Sequence, residues 1–184
     1  MDTEIKREQL KEMLSNPIRS KDGFRILMKQ YGHQLYWHIR RIVVGHEDAE
    51  DILQEVCIKI FESIKTYRGE GDITAWIYRI ATNESLRHLK KQTHLFQSID
   101  TLGNTLTEKL ETETSMDSHS VEVLFQKALL TLPTQQRIAF NMRYYDELSY
   151  DEISQITGKK VGTLKTNYHY ATDKIKQYIK DHTQ

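Results

Sequence analysis

The sequence predicts an all-α protein made of two small helical domains joined by an acidic, flexible linker. Three observations carry that expectation. Apolar residues recur at three- and four-residue steps over long stretches, the period of helices that bury one face. Only two prolines and eight glycines interrupt 184 residues, of which 38% are hydrophobic and 28% charged, a helical rather than a fibrous or barrel-like composition. The rhythm also lapses after Lys91 and resumes at Val121. The gap is rich in Thr, Ser and acids, which suits a tether better than a core. The boundaries expected are therefore 1–91, 92–120 and 121–184.

Taken in order, residues 24–44 carry a helical apolar pattern that stops at Gly45. A second helix is predicted from Asp48 to about Thr66, burying Ala49, Ile52, Leu53, Val56, Ile60 and Ile64. Its other side presents Asp51, Gln54, Glu55 and Glu62. The stretch YRGEGD, Tyr67–Asp72, has two glycines and reads as a loop. A third helix follows over Ile73–Lys91, with Trp76, Ile77, Ile80 and Leu86 on its apolar side. Arg79, Asn83, Arg87 and Lys90 are its polar residues, with Lys91 at its end.

In the second domain Val121, Leu124, Phe125, Ala128 and Leu129 are predicted to line one helical face. Pro133 falls near the first turn of the next helix, where a missing N–H costs little. That helix carries Ile138, Ala139, Met142 and Tyr145. Ser149 followed by Glu152 is a capping box that starts a helix at Tyr150. Gly158 stands where a left-handed residue is wanted, and Val161 opens the last helix. A short helix, a glycine turn and a second helix make a helix-turn-helix. On the second helix Leu164, Tyr168, Ala171 and Ile175 share one face. At about 100° per residue, Thr166, His169, Tyr170 and Asp173 lie opposite, with Lys165 and Asn167 on the flanks. Such a face can reach base edges in a major groove. The pattern alone favours that use, and a helical hairpin with a solvated outer face stays open as the alternative.

Charge is segregated although the net is zero. Residues 47–62 hold six acids against Lys59, and residues 100–122 hold six against Lys109. Positive charge gathers at 79–91 and 159–180. Cys57 is the single cysteine, which excludes an internal disulfide and a multi-cysteine zinc site; beside the apolar stripe it reads as inert packing. His33 and His38 are five residues apart, off the spacing of a helical metal pair. No nucleophile, base and orienting group are spaced for catalysis, and no loop is built to cradle phosphate. The expectation is a non-enzymatic protein with no metal and no cofactor. No apolar run approaches the ~20 residues that span a bilayer, and the charged start MDTEIKREQLKEM lacks the apolar core of a signal peptide. The expected location is cytoplasmic.

The two halves together resemble the extracytoplasmic-function (ECF) sigma factors of the sigma-70 family. DAEDILQEVCIKIFESIKTYRGEGDITAWIYRIATNESLRHLKK is similar to region 2, and LPTQQRIAFNMRYYDELSYDEISQITGKKVGTLKTNYHYATDKIK is similar to region 4. The resemblance covers roughly residues 20–180. It implies that domain 1–91 binds core RNA polymerase and melts the −10 element, and that domain 121–184 reads the −35 element. Asp51, Gln54 and Glu55 match the surface that docks on the clamp helices of the largest polymerase subunit. An acidic stripe with an amide suits a basic protein partner and would repel DNA. Arg79, Asn83, Arg87, Lys90 and Lys91 match the part that captures a flipped base of the −10 element, with Trp76 expected in the core.

Lys165, Thr166, Asn167, His169 and Tyr170 fall at −35-contacting positions. Asn167 and Tyr170 stand where relatives frequently carry arginine, so bidentate guanine contacts are fewer and the promoter sequence does not transfer. The resemblance further implies control by an anti-sigma factor, often membrane-anchored. Two rival readings stay open at this level: a polymerase-independent helix-turn-helix regulator, and a helical protein-binding adaptor.

Overall fold

The computed structural model describes residues 6–64, 67, 71–96, 106–110, 112 and 121–183. Every regular element among them is helical. The first four are α1 (Arg7–Ser15), α2 (Ser20–Val43), α3 (His46–Ile64) and α4 (Ile73–Phe96). The next four are α5 (Val121–Leu130), α6 (Thr134–Tyr144), α7 (Tyr150–Thr157) and α8 (Val161–His182).

Helix α2 is the hub of the first domain, packed by α1, α3 and α4. Leu35, Ile39 and Ile42 on α2, Val56 and Ile60 on α3, and Ile77 on α4 are completely buried. Helix α1 escapes the sequence pattern because its polar residues dominate; Leu10 and Leu14 nonetheless close one side of the core. Helix α4 runs one turn beyond the expected end, to Phe96. Most of the expected linker, and Gly69 of the YRGEGD loop, lie outside the described residues. Within the linker, 106–110 is helical and buries Leu106 in the first domain's core.

The corner between α2 and α3 is tight. Val44 has φ 68° and ψ −44°, and the Gly45 N–H donates to the Val43 carbonyl at 2.9 Å. That is a γ-turn with positive φ, a strained conformation for a β-branched residue. Its side chain is buried.

In the second domain Ala128, Leu129, Leu132, Phe140, Ala171 and Ile175 form a core between α5, α6 and α8. Val121, expected inside, is exposed, and Val123 is buried instead. The rest of the expected face of α5 holds, with Leu124, Ala128 and Leu129 buried and Phe125 packed against them, while Val121 sits at the helix's first position, outside the packed turns. The capping box is present: Ser149 Oγ accepts from the Glu152 N–H at 3.2 Å, and the Ser149 N–H donates to Glu152 Oε2 at 2.8 Å. Gly158 takes φ 70°, and Ser154 Oγ donates to the Lys159 carbonyl at 2.7 Å, stitching the turn. Ser149→Ala is expected to cost about 1 kcal/mol of stability, read as a lower urea midpoint with an unchanged slope.

The two domains pack directly against each other. Helix α7 lies on α4 and helix α6 on α2. Ile138, Met142, Ile153, Ile156 and Leu164 join the same hydrophobic cluster as the α2–α4 core. At the centre of this seam Asp146, just after α6, accepts from His38 Nδ1 at 2.7 Å and from Arg41 at 2.9 Å. The Asp146 side chain is 3% exposed and that of His38 1%. His38 Nε2 lies 2.9 Å from Thr82 Oγ1 on α4, so one histidine ties α2, α4 and the α6–α7 turn.

Candidate functional site

Three clusters of expected site residues have distinct surroundings. On α3, Asp51, Gln54 and Glu55 stand exposed on one side, while Ile52, Val56 and Ile60 point into the core. Glu55 Oε2 accepts from Arg87 at 2.6 Å, linking this face to α4. Sequence reasoning missed two neighbours. Ile58 is 58% exposed and Phe61 41% exposed, in line with Asp51, Gln54 and Glu55 at helical steps. The available signal was their place off the buried stripe, which leaves two large apolar side chains beside acids on a free surface. Phe61 is held edge-on to Phe24 with ring centroids 5.3 Å apart. Cys57 is half-buried, its Sγ 3.8 Å from Met28 Sδ, and burial pushes its thiol pKa up. That keeps it protonated and inert.

On α4, Asn83, Lys90 and Lys91 are exposed. Arg87 is also exposed but engaged by Glu55 and Glu84. Arg79 donates to the Gln155 carbonyl on α7, so the second domain occupies it. Trp76 is half-buried with its ring 4.8 Å from that of Tyr67, a packing position. Of the expected −10 group, three members are therefore open, one is ion-paired, and Arg79, though exposed, is hydrogen-bonded to the second domain.

On α8, Leu164, Ala171 and Ile175 are buried and Tyr168 half-buried, as the spacing predicted. Lys165, Thr166, His169 and Tyr170 are exposed and Asn167 half-exposed. Thr166 Oγ1 donates back to the Gly162 carbonyl at 3.0 Å, and His169 lies 3.3 Å from Asp173. Tyr170 is 54% exposed beside His169. Lys165 Nζ sits 5.8 Å from the Tyr150 ring centroid. The aromatic and amide groups on this face can make hydrogen bonds and stacking contacts, with Lys165 its nearest cation at the helix start.

Comparison with known proteins fits this geometry. The family described as Sigma-70 region 2 matches residues 27–94, and that described as Sigma-70, region 4 matches residues 122–175. The ECF RNA polymerase sigma factor SigW of Bacillus subtilis is 27% identical over 169 residues, covering 87% of this chain and 90% of the relative. The ECF RNA polymerase sigma-E factor of Escherichia coli is 29% identical over 162 residues, covering 83% and 84%. A solved structure of the sigma factor RpoE with the anti-sigma factor NepR, from Bartonella quintana, shares the fold at a TM-score of 0.67 and 20% identity. It covers 85% of this chain and 96% of the other. With both sigma modules present in order along one chain, and ECF relatives aligned across most of its length, the protein belongs to the extracytoplasmic-function group of the sigma-70 family.

Proposed function

We propose that the protein docks on the clamp helices of core RNA polymerase through the α3 face, captures the −10 element with α4 and reads the −35 element with α8. The observation that carries this is the coexistence, in one chain, of an exposed acidic-apolar face on α3 and an exposed recognition face on α8. The first suits a basic protein surface and the second a DNA groove. The contact residues are Asp51, Gln54 and Glu55 on α3; Arg79, Asn83, Arg87, Lys90 and Lys91 on α4; and Lys165, Thr166, Asn167, His169 and Tyr170 on α8. The boundaries 1–91, 92–120 and 121–184 serve these two tasks and the tether between them. The polymerase performs the chemistry.

The packed arrangement belongs to the free protein. The element names place their centres about 25 base pairs apart, roughly 85 Å of duplex at about 3.4 Å per base pair. With α7 against α4 and α8 against α7, two helix layers separate α8 from α4, about 20 Å. Promoter engagement therefore requires the domains to part and Arg79 to leave the Gln155 carbonyl. An anti-sigma partner, of the kind that holds RpoE of Bartonella quintana, would act by keeping these surfaces from polymerase.

Run-off transcription with purified core polymerase and genomic promoter fragments tests the reading. Promoter-specific transcripts that depend on the protein are expected. The absence of both initiation and core association would remove it. Lys165→Ala is expected to leave core binding unchanged and to lower transcript yield selectively, by about tenfold at promoters whose −35 element it contacts. A uniform loss at all promoters would instead mark Lys165 as a phosphate contact.

A further inference from the structure

Arg137 is the least compensated charge in the seam. It lies on α6, is 3% exposed, and among the described residues its guanidinium reaches only the Ile42 carbonyl, at 3.3 Å. Its Nε has no partner, and no carboxylate among the described residues pairs with it. Burial alone lowers its pKa to about 10. One helical turn on, Asn141 is also buried; its amide donates weakly to the Arg41 carbonyl at 3.4 Å, and its Oδ1 has no partner. A buried cation left this way is costly, because the interior neither hydrates nor neutralises it.

Both residues line a cavity of about 290 Å³ between the two domains. Arg40 and Arg41 from α2 add two more cations to the wall, and no acid among the described residues lines it. Leu110, Leu129, Leu130 and Trp37 supply an apolar side. Arg41 is already engaged by Asp146 and by the Tyr145 ring, 4.3 Å away. Arg137 is thus the cation left to meet an anion. The volume is at the small end of ligand pockets. It suits a short aromatic or branched acid and is too small for a nucleotide.

We propose that this inter-domain cavity binds a small organic carboxylate, held by Arg137 with Asn141 beside it and its apolar body against Leu110 and Leu129. Because the wall is built from α2 on one side and α5 and α6 on the other, the ligand binds only the packed form. By mass action it stabilises that form. Any consequence for promoter use rests on the sigma-factor reading; the binding itself does not.

The test uses the full chain with benzoate as the probe, benzamide as its neutral isostere and inorganic phosphate as a bare anion. Benzoate at about ten times its Kd is expected to raise Tm by about 3–6 °C, with benzamide and phosphate giving no rise. Arg137→Met conserves volume and removes the buried charge, so it folds without the ligand and should show no benzoate shift. Titration calorimetry on both proteins gives the same comparison without heating. No benzoate binding to the wild type, or an equal benzoate shift in Arg137→Met, overturns the proposal. A shift with phosphate equal to that with benzoate also overturns it, because the apolar wall then plays no part.

Discussion

Asp146→Ala is expected to open the molecule. In the packed form Asp146 is the shared acceptor for His38 and Arg41, and both partners lie in or at the edge of the seam. Removing one member of a buried pair costs about 3–5 kcal/mol, chiefly by leaving the other charge desolvated and unmatched. Parting the domains lets water reach His38 and Arg41, so the penalty falls on the packed form alone. The open-to-packed ratio should rise by about 10²- to 4 × 10³-fold, since each 1.4 kcal/mol is a factor of ten. Small-angle scattering reads this directly. A packed chain of this length has a radius of gyration of about 16 Å, and the variant should be several ångströms larger, with each domain's helicity retained. A radius equal to that of the wild type would show that the apolar contacts of Ile138, Ile153 and Ile156 suffice to hold the seam.

The second large effect is expected on α3. Asp51→Ala with Glu55→Ala should raise the Kd for core polymerase by about ten- to a hundredfold, the range of truncated interface anchors. The same double variant should melt within about 0.5 kcal/mol of the wild type, because both side chains are exposed. Losing Glu55 releases Arg87 from one partner, but Glu84 still holds it. The loss should shrink at high salt, since it removes complementary charge at a surface. Ile58→Ala tests the apolar half of the same face. Burying its exposed side chain on docking is worth about 1–2 kcal/mol, so a five- to thirtyfold weaker complex is expected, and this loss should not shrink with salt. Unchanged core affinity in both variants would move the polymerase contact elsewhere on the molecule.

What could be read from residues alone follows from how local the signal is. The α7–turn–α8 unit was legible because Ser149, Glu152 and Gly158 each declare a backbone conformation within four residues. The α3 and α8 faces were legible because the neighbours of each helix gather on one side, leaving the other in water, so the period survives. Helix α6 was not. Two domains enclose it, so Arg137, Phe140 and Asn141 are buried along with Ile138 and Met142, and polar residues vanish inside without breaking any pattern. The partner of His38 lay 108 residues away, beyond any periodicity. Ile58 and Phe61 escape the pattern for the opposite reason: they are apolar side chains left outside, where the apolar period assigns no place. The polar positions of α4 were legible as a set, but not that Arg79 donates to the Gln155 carbonyl or that Glu55 engages Arg87.

The seam also has an order in time. His38 belongs to a helix completed early in synthesis, whereas Asp146 emerges 50 residues after Phe96, the last residue of α4. At about 5–20 residues per second, that interval is roughly 3–10 s. During it the seam faces of α2 and α4 are bare, whereas the α3 face with Asp51, Gln54 and Glu55 stays exposed before and after the domains pack. A chain still on the ribosome can offer Arg79 and the seam side of α4 before its own second half exists to meet them. Capture of that surface by another molecule and self-closure are then a race set by translation speed, and slow codons between Phe96 and Asp146 would favour capture.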